Sequence, residues 1–83
     1  MKPSYSYRTS QGTFRIVPQG HKYLLSVHLD NGIGRDLELY HDPGAACVAV
    51  AEQTTGFEPW DTSGTVPEGI GKLGQWLSTP LPD

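Results

Sequence analysis

Residues that could carry out chemistry are concentrated in one short segment, HDPGAAC, which contains His41, Asp42 and Cys47. A cysteine with a histidine as its base is a common nucleophile arrangement, and histidine, cysteine and aspartate are also the residues that bind zinc. Cys47 is the only cysteine of the chain, and the other histidines are His21 and His28. The segment therefore raises two hypotheses, a catalytic thiol and a metal site.

The same segment is also typical of the start of an α-helix. Asp42 is a favoured N-cap, and Pro43 suits the first helical position because the N–H that proline lacks would have no partner inside the helix. We predict a helix over 43–54, with Gly56 as its stop signal and Pro59 preventing its continuation. Its buried stripe would consist of Ala46, Cys47, Val50, Ala51 and Thr54.

On such a helix Cys47 faces the core, which favours an inert buried thiol over a nucleophile. A metal ion needs three or four ligands that converge. We expect no such convergence, because His21 lies in a predicted loop, His28 on the uncovered side of the predicted sheet, and His41 at the far end of the sheet. The sequence therefore predicts no catalytic residue, no cofactor and no metal site.

Length, charge and cysteine content restrict the class of protein. The chain has 83 residues, enough for one small domain over 1–83, and its net charge is −3. Without a basic cluster, nucleic acid is an improbable partner and an anionic membrane is not expected. The longest apolar run, AACVAVA, is too short to cross a bilayer, and neither a disulfide nor a signal peptide is expected. We therefore expect a soluble, cytoplasmic monomer.

Strand-like segments alternate with turn residues from Tyr5 to Tyr40. The segments YSYRT, TFRIV, KYLLSVHL and RDLELY are separated by SQG, PQGH and DNGIG, which predicts a four-stranded antiparallel meander over 5–40. Successive side chains of a strand point to opposite faces, so one face would be apolar and the other open. The predicted class is α+β, with the helix on the apolar face.

The register of the third and fourth strands decides which residues share a face. A two-residue Asn31-Gly32 turn would set Leu25 against Glu38, so we favour a three-residue loop that pairs Leu25 with Leu39. The other expected pairs are Val27 with Leu37, His28 with Asp36, Phe14 with Leu25, Ile16 with Tyr23, and Tyr7 with Ile16.

The segment that follows Gly56 is rich in glycine and proline, which predicts an irregular C-terminal arm over 57–83. Its glycines disfavour a helix there. Trp60 and Trp76 are the two tryptophans of the chain. They either close the core or form part of a binding surface, and the sequence leaves both alternatives open.

Three motifs resemble a family of small, uncharacterised bacterial proteins of about this length. The patterns are Gly-Thr-Phe-x-Ile-x-Pro at 12–18, Tyr-x-x-Pro-x-x-Ala at 40–46, and a tryptophan near the end, here Trp76. The resemblance implies the fold and a bacterial source, and it implies no activity. Val48 and Ala49 depart from it, because polar or acidic residues are expected on the outer face of the helix.

A small domain with one uncovered sheet face is a candidate binding module. We predict a non-catalytic protein-interaction module for an unidentified protein partner. The alternative is weak nucleic-acid binding, because three antiparallel strands followed by a helix are similar to the plant ethylene-response-factor DNA-binding domain. An enzyme is disfavoured, because no acid, base and nucleophile converge. The candidate binding face consists of Arg15, Val17, Lys22, Leu24, Ser26, His28, Glu38 and Tyr40.

Overall fold

A computed structural model describes residues 2–80 of the chain. Its strands form one antiparallel sheet in the order β4-β3-β2-β1-β5, which confirms the α+β class. The elements are β1 (Pro3–Thr9), β2 (Gly12–Gln19), β3 (Lys22–His28), β4 (Gly34–Tyr40), α1 (Pro43–Ala51), α2 (Glu58–Asp61), a 3₁₀ turn (Leu73–Gln75) and β5 (Leu77–Pro80).

The prediction of four strands was wrong by one, because part of the predicted irregular arm forms β5. This strand pairs antiparallel with β1, from Ser6 opposite Leu77 to Pro3 opposite Pro80. Its sequence, LSTP, has no strand signal of its own. It forms a strand because β1 presents an edge of unpaired N–H and C=O groups, and an edge strand tolerates proline. Residues 81–83 of the predicted arm lie outside the described residues.

The first two hairpins have tighter turns than predicted. Gln19 pairs with Lys22, so Phe14 lies opposite Val27 rather than Leu25. The predicted pairs were displaced by two residues, which leaves each side chain on its predicted face because the side-chain period of a strand is two. The other corrected pairs are Ile16 with Leu25 and Tyr7 with Phe14.

The pairing of β3 with β4 contains an irregularity that the sequence did not predict. Leu25 lies opposite Glu38, but its neighbour Ser26 lies opposite Asp36, so Leu37 is an extra residue on β4. An extra residue of this kind is a β-bulge, and it shifts the alternation of the strand by one position. The side chain of every residue of β4 after the bulge therefore lies on the opposite face of the sheet from the one predicted.

Leu39 and Tyr40 show this exchange of faces. Leu39 pairs with Leu24 and is 41% exposed, whereas Tyr40 pairs with Tyr23 and packs against the core. The predicted pair of Leu25 with Leu39 was wrong, and so was the placement of Tyr40 on the uncovered side.

Helix α1 begins as predicted and ends three residues early. Asp42 is the N-cap, and its Oδ1 accepts a hydrogen bond from the Ala45 N–H at 2.8 Å. The helix ends at Ala51 because Gln53, and not Gly56, makes the first left-handed turn, with a φ of 58°. The Gln53 side-chain amide donates to the Trp60 carbonyl at 2.8 Å, which helps to offset the cost of that conformation.

Both tryptophans close the core. Trp60 is 1% exposed and Trp76 is 5% exposed. Their indole N–H groups donate to main-chain carbonyls, Trp60 to Val50 at 2.8 Å and Trp76 to Ile70 at 2.7 Å, which satisfies the only polar atom of each ring. Trp60 also packs edge-on against Phe14, with ring centroids 5.2 Å apart. The arm therefore covers the core, and neither tryptophan is available as a binding surface.

Candidate binding face

The segment HDPGAAC has a structural role at the start of α1. Cys47 is fully buried, and burial, followed by the nearby Asp42 carboxylate, raises the pKa of its thiol from 9.0 to about 11. The thiol therefore stays protonated at neutral pH, whereas a cysteine nucleophile needs a depressed pKa. His41 is exposed, and Asp42 caps the helix. These three residues do not form a nucleophile site.

Asp61 is another acidic side chain with a structural role. Within residues 2–80, no three histidine, cysteine or acidic side chains lie close enough together to hold a metal ion. Asp61 accepts hydrogen bonds from the N–H and hydroxyl of Thr55 and from the N–H of Gly56, with donor–acceptor distances of 2.7 to 3.0 Å. Its carboxylate thus fixes the connection between α1 and α2.

Two shallow depressions lie near the 3₁₀ turn. One, of about 350 Å³, is bordered by Ser6, Tyr7, Arg8, Gln75 and Leu77, and it lies where β5 stops covering the edge of β1. The other, of about 310 Å³, also contains Gln75. The polar lining of the first depression is a serine, a tyrosine, an arginine and a glutamine, and that of the second includes Glu68 and Lys72.

The face of the sheet turned away from α1 is organised in rows across the strands. We call it the open face, and the strand register gives it four rows. One row is apolar and the other three are mainly polar. The apolar row is Leu39, Leu24 and Val17; the second row is Asp36, Ser26, Arg15, Ser6 and Leu77; the third row is Gly34, His28, Thr13 and Arg8; the fourth row, on the other side of the apolar row, is Lys22 and Gln19.

Most of the predicted face residues lie on this open face. Six of them share it: Arg15, Val17, Lys22, Leu24, Ser26 and His28.

Glu38 and Tyr40 do not share the open face, and for these two residues the prediction was wrong. Glu38 lies opposite the fully buried Leu25, and Tyr40 packs against the core. Burial, followed by the charges of Glu38 and Asp61, raises the pKa of the Tyr40 hydroxyl. The physical reason is the bulge at Leu37, which reverses the face of each residue that follows it.

Two apolar residues of the open face, Leu39 and Leu77, were not among the predicted candidates. Leu39 was assigned to the core, and only the bulge brings it beside Leu24. Leu77 is 68% exposed and enters the second row through the pairing of β5 with β1. No local sequence signal could have identified either residue, because both positions depend on pairing between distant segments.

The charges of the open face are distributed unevenly. Asp36 is at the β4 edge of the second row, and Arg15 is in the same row on β2. Arg8 lies in the third row on β1. An acidic edge and a basic centre are thus separated by β3, at about 5 Å per strand.

No helix within residues 2–80 is long and apolar enough to cross a membrane. Comparison with known protein families, curated proteins and solved structures found no match to this chain. Function has to be inferred from the geometry of the open face.

Proposed function

We propose that this chain is a small non-catalytic protein-binding module that contacts its partner through the open face. The observation that supports this proposal is the apolar row of Leu39, Leu24 and Val17, which crosses three strands and is not covered by any helix or strand of residues 2–80. Apolar side chains at the centre of a surface, bordered by polar ones, are typical of protein interfaces. The uncovered row is the main reason to prefer a binding role.

The structure removes one of the residues that supported nucleic-acid binding in the sequence analysis. Tyr40 was the one residue of the predicted face that could stack on a base with a phenol ring, and it packs against the core. Asp36 lies in the same row as Arg15, which reduces the positive potential that phosphates require. The alternative of weak nucleic-acid binding keeps Arg8, Arg15 and Lys22 on the open face in its favour, but it loses the phenol ring of Tyr40.

The setting that we propose is the cytoplasm of a bacterium, in a family with the three motifs described above. Most motif residues support the fold: Phe14, Ile16 and Ala46 are fully buried, and Pro43 begins α1, whereas Thr13 lies on the open face. A free buried thiol at Cys47 suits a reducing compartment. The motifs therefore favour a shared fold, whereas the open face lies largely outside them.

The proposal is tested by substituting one residue of the apolar row and one of the polar rows. Leu24→Asp places a charge at the centre of the apolar row, and Thr13→Asp places the same charge on the same face in the third row. Tagged wild-type and variant chains are used to capture proteins from extracts of the native cell, and the captured proteins are quantified by mass spectrometry. We expect Leu24→Asp to lower the capture of a specific protein at least about tenfold and Thr13→Asp to leave it within about twofold.

A titration with nucleic acid separates the two proposals. Amide chemical shifts of Arg15, Leu24 and Ser26 are followed while mixed-sequence DNA or RNA is added at low salt. We expect no saturable change. Saturable shifts that disappear in moderate salt or in Arg15→Glu would replace protein binding by nucleic-acid binding, because phosphate contacts are salt-dependent.

A further inference from the structure

The open face is complementary to a second copy of itself. Its apolar row and its charged row cross the same three strands, β4, β3 and β2, with Leu24 and Ser26 at their midpoints on β3. From this arrangement we infer that the protein partner is a second copy of this chain, packed sheet on sheet about a two-fold axis that runs along β3. This inference rests on the proposed use of the open face as a protein-binding surface.

The two-fold axis along β3 exchanges β4 of one copy with β2 of the other, and it leaves β3 over β3. In the apolar row, Leu24 then faces Leu24 of the second copy, and Leu39 faces Val17 of the second copy. Apolar residues are thus opposed to apolar residues along the whole row. Aligned packing of this kind is a common arrangement of two sheets, which lie about 10 Å apart.

The charged row matches in the same orientation. Asp36 on β4 faces Arg15 on β2 of the second copy, and the symmetry repeats this ion pair on the other side of the axis. Ser26 lies between them on the axis; it is small and only 5% exposed, so its side chain does not keep the two sheets apart. The two charges that lie two strands apart in one chain therefore become two ion pairs between chains.

An axis along the neighbouring strand β2 gives a poorer match. An axis along β2 would oppose Arg15 to Arg15 and would place Asp36 against Leu77 of the second copy. Like charges that face each other are unfavourable, and so is a carboxylate desolvated against an apolar side chain. Of these two positions, the charge pattern favours the axis along β3.

The contact is small, so we expect a weak dimer. Three strands of this length cover less than the roughly 800 Å² per partner of a stable complex. Lys22 of each copy also lies near the axis, at the rim, where its flexible side chain stays in solvent and the repulsion is screened. We expect a dissociation constant on the order of 100 µM and a monomer in dilute solution.

Charge reversal tests the orientation directly. Asp36→Arg and Arg15→Asp each convert both ion pairs into like-charge contacts, so either variant alone should raise the dissociation constant at least about tenfold in sedimentation equilibrium at up to millimolar concentration. The double variant, with both changes in one chain, re-forms the ion pairs and should return to within a few-fold of the wild type. An equimolar mixture of the two single variants should form a heterodimer, because each of its ion pairs is restored.

Matched controls place the charges elsewhere. Arg8→Asp reverses a charge of the open face that faces no residue of the second copy in this orientation, and Asp30→Arg reverses one in the loop before β4. Both should leave the dissociation constant within about twofold. Melting temperatures of all variants verify that each chain is folded.

Two results would overturn the inference. A wild-type chain that stays monomeric at millimolar concentration excludes the second copy as partner, whereas the proposed function then stands if Leu24→Asp still abolishes the capture of a different protein. If neither charge reversal changes the dissociation constant, the dimer forms through another surface. If Leu24→Asp changes neither self-association nor capture, the proposed function fails as well.

Discussion

The two faces of the sheet are made by the same strands, yet neighbouring residues on them have opposite roles. Leu25 is fully buried, whereas Leu24, next to it on β3, is only partly covered and faces the open side. The two side chains are chemically identical. Alternation along the strand, and not residue type, therefore decides whether a leucine stabilises the fold or is available to a partner.

The two faces also differ in whether their polar groups are hydrogen-bonded within the chain or exposed to solvent. On the core side each tryptophan donates its indole N–H to a carbonyl, and within residues 2–80 no deeply buried side-chain nitrogen or oxygen is without a hydrogen-bond partner. On the open face, Asp36 and Lys22 are exposed to solvent. A substitution on the core face should thus change stability, and one on the open face should change binding.

The largest effect on the core side is expected for a buried charge in α1. Val50→Asp places a carboxylate at a fully buried position, which costs several kcal/mol, comparable to the total stability of a small domain. We expect no cooperative thermal transition by circular dichroism. The control is Val48→Asp on the same helix, because Val48 is 47% exposed, and it should change the free energy of unfolding by less than about 0.5 kcal/mol. Similar melting of both variants would contradict the assignment of the two helix faces.

A methyl group at Gly12 should have the next largest effect. Gly12 has a φ of 137°, which residues with a side chain rarely adopt, and an added Cβ would lie 2.9 Å from the His28 carbonyl oxygen. Gly12→Ala should lower the free energy of unfolding by at least about 2 kcal/mol in urea denaturation. Gly64→Ala is the control, because nothing lies within 4 Å of its added Cβ. An unchanged urea midpoint for Gly12→Ala would contradict this prediction, because it would show that the β1–β2 turn accepts a side chain at this position.

The buried thiol of Cys47 should make stability depend on alkaline pH. Its pKa is raised from 9.0 to about 11 in the folded chain, so the unfolded chain loses this proton first as the pH rises. The stabilisation is fully present below pH 9 and is lost towards pH 11, by about 2 to 3 kcal/mol.

The measurement for Cys47 compares urea midpoints of the wild type and Cys47→Ala across that pH range. Other groups that titrate there, such as Tyr40, are common to both chains and cancel in the difference. The wild type should lose more stability than the variant. Equal losses would mean that the thiol ionises as easily in the folded chain as in the unfolded one.

The smallest effect is expected at the helix cap. Asp42→Ala removes the hydrogen bond to the Ala45 N–H and should lower the free energy of unfolding by about 1 kcal/mol. His41→Ala should change it by less than about 0.5 kcal/mol, because His41 is exposed. A greater loss at His41 than at Asp42 would show that this segment has a role beyond starting the helix.

The open face could be predicted in part from local patterns. The alternation of TFRIV and KYLLSVHL placed Arg15, Val17 and Leu24 on one face, and this assignment holds although the register was displaced by two residues. On β4 the same reasoning failed after Leu37, because a single extra residue reverses the alternation. No local sequence pattern predicts the bulge, because the bulge depends on how β3 and β4 pair.

The sequence by itself determined the strands β1 to β4, the start of α1 at Asp42 and Pro43, and the inert position of Cys47. These features follow from alternation, cap preference and helical spacing, which act over a few residues. Tertiary structure alone decided the fifth strand, the burial of both tryptophans and the side on which Leu39 lies. Each of these depends on contacts between segments far apart in the chain, where pairing with β1, closure of the core and the bulge on β4 override weak local preferences.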